Sequence, residues 1–166
     1  MSFIITASYR KVDLAYPDPD TIHFLDIAES LSKIPRFNGH TPGVFYSVAQ
    51  HSVLVSQIVP KELALAALLH DGEEYVLTDM ITTVKYMDGM DAYRALERRI
   101  RIALETWARR LHGDLDFNNP AIKRADYVAM ATERRDLMPG DTEEWAILDG
   151  VEPLAIAIEP LECSDG

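Results

Sequence analysis

Leu63-Ala64-Leu65-Ala66-Ala67-Leu68-Leu69-His70-Asp71 is the stretch whose reading decides the fold. Its first part is apolar on every side of a helix, which suits a helix that is central and buried. Pro60 just before it suits a first helical turn. Such a helix delivers His70 and Asp71 at its inner end. A buried His-Asp pair is costly unless each side chain has a partner, and a metal ion partners both at once. The alternative is an aspartate that caps a helix start after a core histidine.

Residues 47–59 read as a helix with Val48, His51, Val55 and Ile58 on one face, so His51 points where the apolar residues point. Pro120 opens a helix over about 120–138, in which Ile122, Asp126, Ala129 and Glu133 share a side. Asp126 therefore also faces inward, where an unpaired carboxylate is a poor choice. Three helices thus each place a ligand-type side chain on a core-facing position. Two imidazoles and two carboxylates (His51, His70, Asp71, Asp126) can close around one divalent cation. The mixed nitrogen and oxygen set suits Mn²⁺, Fe²⁺, Co²⁺, Ni²⁺ or Zn²⁺ better than Ca²⁺. An ordinary buried network, with arginine neutralising the aspartates, stays open beside the metal reading.

The rest of the chain supplies scaffold. Residues 2–14 alternate weakly around Ser8-Tyr9-Arg10-Lys11 and predict a short β-hairpin. Tyr16-Pro17-Asp18-Pro19-Asp20-Thr21 is a turn leading into a helix near 22–34, ended by Pro35. A helix over 91–112 carries Tyr93, Leu96, Ile100, Leu104, Trp107 and Leu111 on one stripe, with Arg94, Arg98, Arg101 and Arg109 as a solvated face. After residue 139, Glu143 to Leu148 is a candidate helix, and Val151 to Leu161 is ambiguous between strand and coil. No repeat, linker or low-complexity tract interrupts the chain, so a single domain over 1–166 is expected.

The 166 residues can bury about two-thirds of their unfolded surface. With 48% hydrophobic and 26% charged residues the composition is that of a globular protein, and no apolar run approaches a membrane span. The start, Met1-Ser2-Phe3-Ile4-Ile5, lacks a signal-peptide pattern, and the lone Cys163 allows no internal disulfide, so a cytoplasmic protein is expected. Cys163 sits in a polar tail and is expected to be inert. A net charge of −11 argues against a nucleic-acid polymer as partner. It does not exclude a small nucleotide held by a few converging cations and a metal.

His51, His70-Asp71 and Asp126 resemble the ligand pattern of the HD-domain phosphohydrolases. The similarity extends to Arg36-Phe37-Asn38-Gly39-His40-Thr41, Phe45-Tyr46-Ser47-Val48-Ala49-Gln50-His51-Ser52, Ala67 to Tyr75, Val84-Lys85-Tyr86 and Lys123-Arg124-Ala125-Asp126, and covers about residues 8–138. Within that superfamily the spacing resembles the small bacterial and phage branch, the 5′-deoxynucleotidases and the phage dATP triphosphohydrolases. The resemblance implies an all-α HD-domain fold around one divalent transition metal held by His51, His70, Asp71 and Asp126. A further Mg²⁺ or Mn²⁺ can accompany the substrate phosphates. It also implies Glu74 as the acid serving the attacking water, Asp79 as a second acid, and Arg36 and Lys85 as phosphate-facing cations. Ile81 and Thr83 replace prolines common in relatives. His112 as the only histidine between Asp71 and Asp126 speaks against a two-metal cyclic-dinucleotide enzyme.

The chemistry expected from this set is phosphate-ester hydrolysis. A metal neutralises phosphoryl oxygens and acidifies water. Glu74 lies three residues past Asp71, placed to move a proton, with Asp79 either assisting or capping a turn. Arg36 can grip two oxygens at once, and Lys123, one turn before Asp126, is a candidate for a β- or γ-phosphate. Phe37 can lie against a purine or serve the core. The expected activity is deoxynucleotide hydrolysis, leaning to dATP cleavage into deoxyadenosine and triphosphate. Monophosphate hydrolysis is the second choice, and a non-catalytic nucleotide sensor a different class. Small enzymes of this kind tend to form symmetric homo-oligomers, and the aromatics Tyr86, Tyr93, Trp107 and Trp145 hint at more than one core can bury.

Overall fold

The computed structural model describes residues 2–159, so Cys163 lies outside the described residues. The architecture is mainly helical, with an N-terminal antiparallel hairpin. Its described residues fall into two compact units, each built from two stretches of chain: those up to Ile34 with 71–115, and 35–70 with those from 116 on.

The first unit begins with the hairpin. Strands β1 (Phe3–Ile5) and β2 (Lys11–Asp13) pair with Ile4 opposite Val12. The turn spans Thr6 to Arg10 rather than residues 8–11, because Tyr9 takes a left-handed φ of 61° and Lys11 already belongs to the ladder. Helix α1 (Phe24–Leu31) follows and packs on α4 (Glu74–Leu77). It is shorter than the stretch 22–34, since Ile22 is extended and the last turn frays before Pro35. Asp26 of α1 is buried and accepts hydrogen bonds from Thr6 Oγ1 (2.9 Å), the Ser8 amide (2.8 Å) and Ser8 Oγ (2.6 Å), fastening the hairpin turn to the helix.

Helices α5 (Thr82–Lys85) and α6 (Asp91–His112) complete this unit. The expected stripe of α6 is buried at Ile100, Leu104 and Trp107, but Leu111 is exposed. Of its arginines, Arg98 is exposed as the solvated-face reading expects, but that reading needs correction at Arg101. Arg101 pairs with Glu73, which is 2% exposed, and Arg109 pairs with Glu105 at 3.2 Å.

The second unit holds α2 (Val48–Ile58), α3 (Ala64–Leu68) and α7 (Pro120–Leu137), with α2 packed against both others. Ser47 and Gln50 form a reciprocal capping box that starts α2, and Val59 turns extended ahead of Pro60 to end it. Asn119 caps α7 by accepting the Ala121 amide at 3.0 Å, with Pro120 at the first position. The apolar run from Leu63 departs from the single buried helix expected. It is a 3-10 turn (Lys61–Leu63) followed by the five-residue α3, and only Ala66, Ala67 and Leu69 of its apolar residues are buried.

Beyond α7 the candidate helix at 143–148 is a 3-10 turn (Ala146–Leu148), and the described part of the ambiguous tail is irregular. Side chains of α7 hold it in place of a ladder: the Leu154 amide donates to Thr132 Oγ1 at 2.9 Å, and the Ile158 amide to Asp136 at 2.8 Å. Among the described residues no helix is long and apolar enough to cross a membrane.

Candidate metal centre

The second unit brings together three of the expected ligands. His51 lies on the buried face of α2, His70 follows the end of α3, and Asp126 sits on the buried face of α7. All three are buried, and one donor atom from each falls within 4.8 Å of the others. His51 Nε2 lies 3.2 Å from Asp126 Oδ1, and His70 Nε2 lies 4.0 Å from the same oxygen. The two rings are 5.2 Å apart, centre to centre. An ion with bonds of about 2.0–2.2 Å holds its donors about 3–4 Å apart, so this spacing fits a transition metal.

The far sides of the ligands are fixed as well. His51 Nδ1 is 2.6 Å from Glu133 Oε1, and His70 Nδ1 is 2.8 Å from the Ala67 carbonyl oxygen. Both Nε2 atoms are thereby turned toward Asp126. Lys123 Nζ donates to Asp126 Oδ2 at 2.8 Å, on the oxygen away from the histidines. Burial and Arg36 pull the His51 imidazole toward the neutral form, but Glu133 and Asp126 outweigh them and hold it up at about 9. A divalent cation at Nε2 answers the same negative charge that holds that proton, and the nitrogen and carboxylate donors suit it. His51, His70 and Asp126 therefore form a cluster able to hold a divalent metal.

Glu133 is the residue that sequence reasoning missed. It has no exposed surface, lies two turns past Asp126 on α7, and meets Arg36 at 3.7 Å. Burial opposes its charge, but His51, Arg36 and a hydrogen bond from Tyr46 hold its carboxyl below the usual range. The burial of Tyr46 and the Glu133 charge push the phenol well up. The shared face of Asp126 and Glu133 was legible in the sequence; the His51 partner, distant in sequence, was not.

Arg36 is buried at the start of an unusual turn. Phe37 and Asn38 both take left-handed conformations (φ 52° and 51°), a cost of about 1–3 kcal/mol for each such residue. The Arg36 guanidinium lies 5.4 Å from the Phe37 ring centre, and Phe37 stands edge-on to Trp145 at 6.1 Å. Phe37 is half-buried, and His40 is exposed.

The remaining expected residues belong to the first unit. Asp71 is half-buried, and its carbonyl accepts the Glu74 amide at 3.1 Å. Glu74 is 4% exposed, so it is no solvated surface glutamate, and Lys85 Nζ lies 3.9 Å from it. Lys85 also meets Glu97 at 2.6 Å; burial pulls its ammonium down, but Glu97 and Glu74 outweigh that and push it up to about 12. Asp79 is half-buried in the loop after Thr78, a β-branched residue at φ 66°. Left-handed backbone at such a residue is an outlier that marks strain beside a candidate acid.

No family model matches the chain. Over 151 residues it is 40% identical to the uncharacterized protein YfdR of Escherichia coli K12, covering 91% of this chain and 81% of the relative. Over 105 residues it is 44% identical to an uncharacterized protein of Rhodobacter capsulatus, covering 58% of this chain and about half (53%) of that relative. A buried His-His-Asp cluster in a mainly helical scaffold defines a candidate metalloprotein. By the extent of its similarity, the chain belongs to the YfdR family.

Proposed function

We propose that the chain is a divalent-metal-dependent phosphohydrolase of deoxynucleotides, leaning to dATP hydrolysis into deoxyadenosine and triphosphate. The observation that carries this reading is the convergence of His51, His70 and Asp126, with each imidazole backed on its Nδ1 side by an acceptor. Such backing is the arrangement of metal-ligating histidines generally. When bound, the ion supplies positive charge and Lewis acidity for phosphate-ester hydrolysis. The family resemblance adds Asp71 as a fourth ligand.

The resemblance gives the other side chains roles that their chemistry suits. Glu74, buried and ionisable, takes a proton from the attacking water or returns one to the departing oxygen. Asp79 is the second acid. Arg36 and Lys85 neutralise non-bridging oxygens, with the planar guanidinium able to hold two. Phe37 offers its ring to the base.

A second reading, hydrolysis of deoxynucleoside monophosphates, gains from one observation. Lys123, the cation expected at outer phosphates, is 2.8 Å from Asp126 Oδ2, which leaves less positive charge for a triphosphate tail. The deciding experiment incubates the protein with a panel of deoxynucleoside mono-, di- and triphosphates and Mn²⁺ or Co²⁺, with and without chelator. Chelator-sensitive release of deoxyadenosine with triphosphate is the expected result, and nucleoside with orthophosphate supports the second reading. Metal-dependent nucleotide binding with no product identifies a sensor and overturns both.

A further inference from the structure

We propose that Glu133 is the positioning residue of the metal centre: by clamping Nδ1 of His51 it directs Nε2 at the ion and sets metal affinity. The inference rests on the metal reading above and goes beyond its ligand set. Asp126 and Glu133 lie seven residues apart on α7, about 10 Å along the helix and on one face. That spacing lets one helix address both nitrogens of a single imidazole, Asp126 at Nε2 (3.2 Å) and Glu133 at Nδ1 (2.6 Å).

A neutral imidazole carries one N–H, and an acceptor at Nδ1 draws the proton there and leaves the lone pair on Nε2. His70 receives the same instruction from the Ala67 carbonyl, a neutral backbone acceptor. His51 receives it from an anion, which makes the ring a stronger donor to a cation. The backing of His51 thus comes from a side chain, which a substitution can change, and that of His70 from the backbone.

Placing a glutamate where it has no exposed surface is expensive, and apolar residues of like volume often serve stability as well or better. Arg36 lies 3.7 Å from it and Tyr46 donates a hydrogen bond to it, so its position is fixed from more than one side. A purely structural ion pair has no need of a metal-ligating partner. A carboxylate aligned on the ligand's rear nitrogen does.

The test compares full-length wild type, Glu133→Gln and Glu133→Ala by chelator-competition titration with Mn²⁺ and Zn²⁺. Thermal unfolding of the chelator-treated proteins is followed alongside. Removing such a partner weakens metal binding by about 10–100-fold, with Gln toward the lower end because it keeps an acceptor but not the charge, and Ala toward the upper. If the alanine variant does not fold, the near-isosteric Gln variant carries the comparison. A structural role gives the opposite pattern: a lowered unfolding temperature with metal affinity within about threefold of wild type, well short of the about 10–100-fold loss, and that overturns the proposal. A second readout is the ¹⁵N shift pattern of His51 in the Zn²⁺-loaded protein, expected to show protonated Nδ1 and ligated Nε2. The reverse assignment overturns the proposal. Wild type that binds neither ion overturns the metal reading and this inference together, whereas tight wild-type binding unchanged in Glu133→Gln overturns this inference alone.

Discussion

Replacing Arg101 by alanine strands a carboxylate in the first unit. Glu73 is 2% exposed; one of its oxygens meets Arg101, and the other has no hydrogen-bond partner among the described residues. Breaking a fully buried ion pair by removing one partner costs about 3–5 kcal/mol. The Arg101 side chain is 39% exposed, so water partly replaces it, and the loss is discounted to about 2–3 kcal/mol. That is a large share of a total stability of about 5–15 kcal/mol. Burial, with Asp71 adding to it, pushes the Glu73 carboxyl up to about 7 even against Arg101, and losing Arg101 pushes it higher. A carboxyl whose folded pKa lies above its unfolded value holds an extra proton in the folded state, so stability falls as pH rises through that window. The deficit of Arg101→Ala is therefore largest near pH 8 and shrinks toward about pH 5. Urea unfolding at both pH values measures it, and the double variant Glu73→Gln/Arg101→Met should recover most of the loss. A deficit under about 0.5 kcal/mol at both pH values, the range of an ordinary surface substitution, refutes the reasoning and returns Arg101 to the solvated face that the helical pattern suggests.

Glu74→Gln should keep metal and nucleotide affinity while kcat falls by about 10²–10⁴-fold; near wild-type kcat in steady-state assays moves the role to Asp79. Asp26→Asn should cost about 1–3 kcal/mol, because the amide meets donors from Thr6 and Ser8 with one oxygen instead of two. Burial pushes the Asp26 carboxyl up, but the Ser8 and Thr6 hydrogen bonds outweigh it and hold it below its ordinary value. Its contribution is therefore present above about pH 4 and lost as pH falls through the lowered folded value, so wild type and Asp26→Asn should converge in unfolding temperature in acid. A constant gap between them speaks against the clasp. Static light scattering at micromolar concentration should give a dimer or larger assembly, and a monomer mass contradicts self-association.

The helices that carry ligands were legible because their signals are local. Val48, His51 and Val55 keep one face of α2, and Ser47 and Gln50 cap it with atoms a few residues away. Pro120 and the inward face of Asp126 fixed α7 in the same manner. The run from Leu63 misled because composition alone does not set length: a 3-10 turn precedes α3, and Leu69 leaves helical geometry, so His70 reaches the cluster from a turn. Arg101 misled because a helical pattern records which face is charged, not that a buried Glu73 waits for one of the charges. Glu133 was on the right face in the sequence, but its meaning depends on His51, a partner no periodicity connects to it. The tail defeated a strand-or-coil choice because side chains of α7 satisfy its backbone.

Whether His51, His70 and Asp126 hold a metal decides the proposed chemistry. Elemental analysis of protein purified without chelator measures this directly, alongside His51→Ala, His70→Ala and Asp126→Ala handled identically and checked for folding by circular dichroism. The prediction is about one transition metal per chain in the wild type and a small fraction of that in each folded variant. A wild type that stays metal-free after incubation with Mn²⁺, Co²⁺ or Zn²⁺, or folded variants that keep the full complement, contradicts it.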